Sequence, residues 1–300
     1  MKKILFELNQ GWGNSCQMVP LYMNLKDKYD VDVCYYKEYE TDSVKSVEWF
    51  PVDKHIMELV DTNVMEIEGR YDYTVRPPFV TKKVDGEHIY VDEVTLGFRE
   101  KDTEVERYTK IGKYFNVGTA IRKGIRFHES PFEGDVVMHN GALNVGKWHY
   151  KRYPHMEKLV HRLKDMGLTV TSIGHASEYI EGTQNATGTN IMQTIGTIAN
   201  HKHGIFTDTG SSQSAALLIG REDVNFKNGV IIYTCTDPKK NYDKRFHRGL
   251  NPVFTTLPCQ PCQWNYHWGT DWAGCNNPKC RNIHPDVIMD MFDWMNTDEW

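Results

Sequence analysis

The chain has 300 residues, with 35 Lys+Arg against 40 Asp+Glu and a net charge of −5. That length suits two domains of ordinary size, each able to bury a core without disulfide or metal support. At 40% apolar and 25% charged residues the composition excludes disorder, and the mild acidity argues against broad nucleic-acid or membrane-surface binding. The basic start at Lys2 and Lys3 leads into an apolar run that stops at Glu7. It reads as a first strand, Lys3 to Leu8, rather than a signal peptide, and no apolar run approaches a membrane span. A Gly-rich turn follows, then a predicted helix from about Cys16 to Tyr29 and a strand from Val31 to Tyr36. This strand, glycine turn, helix, strand order is a βαβ unit, the mark of a parallel sheet covered by helices.

His88 to Val91 reads as a further strand and Glu104 to Phe115 as a helix, and the polar stretch Lys123 to Gly134 as a linker. A second alternation begins after it. Strands are predicted at Asp135–His139, Leu168–Ile173, Gly204–Thr207 and Val230–Tyr233, with helices at Pro154–Met166, Asn190–Asn200 and Ser212–Ile219. The expected organisation is a domain over 1–128, a second over 129–283, and a C-terminal helix within 284–300 that returns to the first domain.

Ligands bind open parallel sheets beyond the carboxyl ends of strands, and three loops take that place. In Gly11-Trp12-Gly13-Asn14 the glycines let backbone approach a ligand, ahead of the free N–H groups of a helix start. A tight turn capped by Asn14 explains the same residues. The second loop is His139-Asn140-Gly141-Ala142, followed by Lys147, Lys151, Arg152 and Pro154. Cations just ahead of a helix N-terminus invite an anion between them, although a solvated basic loop reads the same way. The third is Thr207-Asp208-Thr209-Gly210-Ser211-Ser212-Gln213. Its Gly210, Ser211 and Ser212 N–H groups suit a diphosphate and Asp208 suits sugar hydroxyls. The plainer reading is a turn with Asp208 or Ser211 as N-cap.

Taken in order, these segments resemble the heptosyltransferase-like glycosyltransferases of family 9, which have two Rossmann-like domains facing a central cleft (the GT-B arrangement). Gly11-Trp12-Gly13-Asn14 stands where that family has Gly-x-Gly-Asp, and His139-Asn140-Gly141-Ala142 where it has His-Pro-Gly-Ala. Lys151-Arg152-Tyr153-Pro154, Asp208-Thr209-Gly210 and Thr236-Asp237-Pro238 match further motifs, as does Cys259-Gln260-Pro261-Cys262. The resemblance implies inverting transfer of a sugar from a nucleotide-diphosphate sugar without a catalytic metal. It implies that Lys151, helped by Thr209 and Gly210, holds the donor phosphates and that Asp208 binds the transferred sugar. The Gly174-His175 loop, with Glu178 or Glu181, would lie near the nucleoside. His139, Lys147, Arg152, Ser211 and Gln213 complete the expected donor site, and Gly11, Trp12 and Gly13 face the acceptor.

Two positions depart from the pattern. Asn14 replaces the family's catalytic Asp, and Gln213 its His. An amide cannot take a proton from an acceptor hydroxyl, so Glu7, Asp92 and Glu93 become first-domain candidates for the base, beside their plainer reading as strand-end charges. The same departure leaves open a non-catalytic nucleotide-sugar binder or regulator. The acceptor is either a glycan such as lipopolysaccharide core or a modified DNA base. The latter would need a local basic groove, for which Lys82, Lys83, Arg122, Lys123 and Arg126 are the contributors.

Of the seven cysteines, Cys259, Cys262, Cys275 and Cys280 crowd one stretch, while Cys16, Cys34 and Cys235 are scattered. Two close pairs of thiolates can close a tetrahedral structural zinc site. Disulfides or free thiols are the other readings. The odd count in a chain needing no staples suggests a reduced, cytoplasmic protein.

Overall fold

The computed structural model describes residues 1–8, 12–35, 71–75, 89–91, 96–97, 102–120, 125–141, 150–258 and 279–296. Internal contacts divide the chain into two units, Met1–Arg126 and Phe127–Trp300.

The first unit holds strands β1 (Lys3–Leu8), β2 (Asp30–Tyr35), β3 (Tyr73–Val75) and β4 (Ile89–Val91). They pair in parallel in the order β2-β1-β3-β4, with Ile4 opposite Val31 on one side and Tyr73 on the other. Helix α1 (Trp12–Lys26) follows β1 and begins earlier than the sequence pattern suggested. Gly13 and Asn14 therefore belong to its first turn, and Asn14 is not the cap. Pro20 sits inside this helix, where it removes one backbone donor. Asn24 Nδ2 donates back to the Pro20 carbonyl at 2.6 Å. Helix α2 (Glu104–Tyr114) starts with a reciprocal capping box between Thr103 and Glu106 and buries Val105, Tyr108 and Ile111 on one face.

The second unit is built on β5 (Gly134–His139), β6 (Val170–Gly174), β7 (Gln184–Thr187), β8 (His201–Thr207), β9 (Asn228–Tyr233) and β10 (Leu250–Phe254). All six are parallel, in the order β10-β9-β8-β5-β6-β7. Numbered from β5 this is 3-2-1-4-5-6, the doubly wound order, and its direction reverses between β5 and β8. Helices α3 (Met156–Asp165), α4 (Ile191–Ala199), α5 (Gly210–Leu218) and the short α6 (Pro238–Asn241) connect the strands. Val136 and Met138 of β5, Ile205 of β8 and Val230 and Ile232 of β9 form the core with Leu159, Val160 and Leu163 of α3.

Helix α7 (Pro285–Asn296) adds Ile288, Met289 and Phe292 to that same core. Its buried face packs on the apolar core of the second unit. Among the described residues, no helix is long and apolar enough to cross a membrane.

Candidate functional site

The second unit gathers polar groups at the carboxyl ends of β5, β6, β8 and β9, around the point where the strand order reverses. His139 is the last residue of β5, and Asp208 directly follows β8. Asp208 N–H donates to Ile232 O at 3.2 Å, which ties the loop to β9. Lys151 Nζ donates to the Asp208 main-chain oxygen at 2.9 Å and lies 3.6 Å from its Oδ2. The pairing of a cation ahead of α3 with the carboxylate after β8 is thus made through the main chain first.

Thr209, rather than Asp208 or Ser211, is the N-cap of α5. Ser212 Oγ accepts from Thr209 N at 3.3 Å and donates to Thr209 O at 2.7 Å. Gly210, Ser211 and Ser212 form the first turn, whose N–H groups have no intrahelical acceptor by geometry. Ser211 and Thr236, at most 1% exposed, carry hydroxyls without a hydrogen-bond partner among the described residues. An anion placed there would meet backbone donors, a helix dipole and a lysine together.

Behind this turn lies a buried relay. His139 Nδ1 is 2.9 Å from Thr209 Oγ1, and its Nε2 is 3.1 Å from Glu178 Oε2. Glu178 Oε2 also accepts from His175 N at 2.8 Å, and Oε1 faces Arg152 at 3.5 Å. Burial alone would raise the Glu178 pKa. The His139 hydrogen bond and charge, the His175 amide and Arg152 outweigh it and hold the carboxyl at about 2. As an acceptor-only anion, Glu178 takes the proton on Nε2, which orders the ring. The relay needs two glycines. A Cβ at Gly141 would stand 2.0 Å from His139 Nε2, and one at Gly174, whose φ is +117°, would stand 2.5 Å from Glu178 Oε2.

A second buried histidine reaches α5 from the other side. His247 Nε2 is 2.7 Å from Gln213 Oε1. His247 Nδ1 lies 3.0 Å from the Asp243 N and 3.1 Å from the Asp243 carbonyl oxygen, so the backbone offers it a donor and an acceptor together. Burial pushes the His247 pKa down to about 4, against the raising effects of Asp243 and Asp208. Asn241, closing α6, donates from Nδ2 to Asp208 Oδ2 at 3.0 Å.

The structure thus brings together His139, Lys151, Arg152, Gly174, Glu178, Asp208, Thr209, Gly210, Ser211 and Gln213 in one unit. Asn140 also contributes, exchanging bonds with Tyr153 N at 2.7 Å and Tyr153 O at 3.0 Å and fixing the start of α3. Asn241 and His247 were not anticipated. Nothing local marks His247, while the Thr236-Asp237-Pro238 turn was a signal that pointed near Asn241. Trp12, Gly13 and Asn14 lie in the first turn of α1 in the first unit. Gly11, Asp92, Glu93, Lys147, Cys259, Cys262 and Cys275 lie outside the described residues, as does the side chain of Glu7. Cys280 is buried and packs with Cys235, one of the cysteines read as scattered. Burial raises the Cys235 thiol to about 12 despite Lys151 nearby. No group of three metal-ligating side chains occurs among the described residues.

No protein-family model matches the chain, and no curated protein does. Solved structures do. The heptosyltransferase WaaC of E. coli with ADP-2-deoxy-2-fluoro heptose gives a TM-score of 0.54 at 15% identity, over 85% of this chain and 93% of that one. The iron-containing dodecameric glycosyltransferase TibC of enterotoxigenic E. coli gives 0.64 at 12% identity, over 98% and 76%. The glycosyl transferase family 9 protein of Veillonella parvula gives 0.61 at 11%, over 98% and 97%. At such identities the likeness is one of fold. The chain has the α/β, Rossmann-like GT-B fold, and the resemblance read from its motifs holds at that level.

Proposed function

We propose that the chain is an inverting glycosyltransferase that takes a sugar from a nucleotide-diphosphate sugar bound on its second unit. The observation that carries this is the convergence of Lys151, Asp208 and the first turn of α5 at the reversal point of the sheet. Solved neighbours hold ADP or an ADP-heptose analogue, which supports a donor of this class. In this reading the α5 N–H groups and Lys151 take the diphosphate, and the negative charge that grows as the glycosidic bond breaks is met by donors already in place. Asp208 receives sugar hydroxyls. Glu178 serves the site from within, because its carboxylate is already held by His139, His175 N–H and Arg152. The exposed Glu181 is then the carboxylate left for the ribose. The acceptor is a glycan or a modified DNA base.

Asn14 favours a second reading, nucleotide-sugar binding without transfer, since its amide cannot act as base. A thermal-shift screen of nucleotide-diphosphate sugars followed by a transfer assay separates the two. Stabilisation by a donor with sugar transfer supports the enzyme, and stabilisation without turnover the binder. No stabilisation by any donor refutes both.

The spacing of Cys259, Cys262, Cys275 and Cys280 supports a structural metal site, in which four thiolates leave no open position for catalysis. Zinc is the expected ion, and the iron that TibC contains makes iron its rival. Metal analysis of purified protein decides, and absence of both ions refutes the site.

A further inference from the structure

Asn241 touches the carboxylate to which the sugar contact is assigned, and its own placement is fixed from several directions. Its N–H donates to Asp237 O at 2.9 Å, and its carbonyl accepts from the buried Tyr233 hydroxyl at 3.4 Å. Its Nδ2 then reaches Asp208 Oδ2 at 3.0 Å, the same oxygen that Lys151 Nζ approaches at 3.6 Å. Oδ2 is therefore engaged by a neutral amide and a cation together. The side-chain contacts of Asp208 with Asn241 and Lys151 both fall on Oδ2, and Asp208 is only 5% exposed. The two donors differ in kind. The lysine is a charge whose attraction has little direction, and phosphate would compete for it. The amide donates along fixed directions and carries no charge to share with a phosphate.

We propose that Asn241 is a positioning residue that fixes Asp208 by its Oδ2, so that Oδ1 is the oxygen that receives the donor's sugar. This rests on the reading that Asp208 meets the transferred sugar. Its consequence is a division of labour: Lys151 and the α5 turn recognise the diphosphate, while Asn241 acts on recognition of the sugar alone. Lys151 faces Asp208 from ahead of α3, and the charge of Asp208 is felt by Tyr233 on β9 and by Cys235 and His247 beyond it. Asp237, whose carbonyl accepts the Asn241 N–H, and Asp243, two residues on, are the other acids of this segment; the Asp237 carboxylate accepts from Lys239 N and that of Asp243 from Arg245.

The test is calorimetric titration of wild type, Asn241→Ala and Asn241→Asp with ADP, GDP and UDP and with their sugar conjugates, between pH 5 and 8. In Asn241→Ala the affinity for the preferred nucleoside diphosphate should stay within about twofold of wild type, while the extra affinity given by the sugar falls about tenfold. In Asn241→Asp two carboxyls about 3 Å apart disfavour double ionisation. Sugar-dependent affinity should be low near pH 8 and recover toward pH 5, where the protonated carboxyl again donates to Oδ2. Wild type should show no such recovery. Equal loss for nucleotide and conjugate, no loss for either, or a pH-independent Asn241→Asp variant overturns the role of Asn241 while leaving the donor site standing. Failure of wild type to bind any of the compounds refutes the donor-site reading itself, and this assignment with it.

Discussion

Glu178→Gln removes the buried anion of the relay while nearly preserving its shape. The carboxyl is 8% exposed and held at about 2 against an ordinary 4.5. At about 1.4 kcal/mol per tenfold, that difference corresponds to roughly 3 kcal/mol of folding stability. The folded pKa lies below the unfolded one, so this contribution is complete above pH 4.5 and is lost as the pH falls through about 2. Glutamine can still accept the His139 proton but offers Arg152 no charge, so the expected destabilisation at pH 7 is about 2–3 kcal/mol. Hydrogen exchange of the β5 and β8 amides in dilute urea reads the second unit by itself. The gap between variant and wild type should close as the pH falls below 4.5. A gap under about 1 kcal/mol at pH 7, or one unchanged in acid, would refute the argument that charge rather than packing holds the relay.

Gly174→Ala should cost more than about 2 kcal/mol in thermal unfolding, because it combines a positive φ with a Cβ set against Glu178; near-neutral behaviour would show that the relay gives way easily. His247 has a folded pKa of about 4 below its ordinary 6.5, so its contribution is complete above pH 6.5 and falls away as the pH drops through 4, by roughly 3 kcal/mol. His247→Gln should flatten the stability curve in that window, and an unaltered slope would assign the acid loss elsewhere. Lys151→Ala should weaken all nucleotide-diphosphate donors about 10–100-fold, the worth of one charge-assisted phosphate contact. A loss confined to one nucleoside would place Lys151 at the base or ribose instead.

What could be read from the sequence follows burial. β5, β8 and β9 are covered on both faces, so they announce themselves as apolar runs such as Val136-Val137-Met138 and Val230-Ile231-Ile232. β7, Gln184-Asn185-Ala186-Thr187, lies at an edge and carries almost no apolar signal. β10, at the other edge, contains Pro252, which a central strand would exclude. The site divides the same way. Lys151, Asp208 and Thr209 sit at strand ends and helix starts, where position alone suggests a role. The contacts that organise them join residues far apart in the chain, with separations of 39 for His139 to Glu178, 34 for Gln213 to His247 and 33 for Asp208 to Asn241. No local pattern encodes such pairs.

The two glycines beside the relay differ in what they commit descendants of this sequence to. Gly141 is required for the space that His139 and Glu178 occupy, with a Cβ 2.0 and 2.6 Å from them, whereas Gly174 answers also to its own backbone at φ +117°. A lineage that exchanged both polar residues for smaller ones would set position 141 free to drift toward alanine or serine, while position 174 stayed glycine. Covariation of 141 with 139 and 178, against invariance at 174, would therefore be the record this relay leaves in related chains.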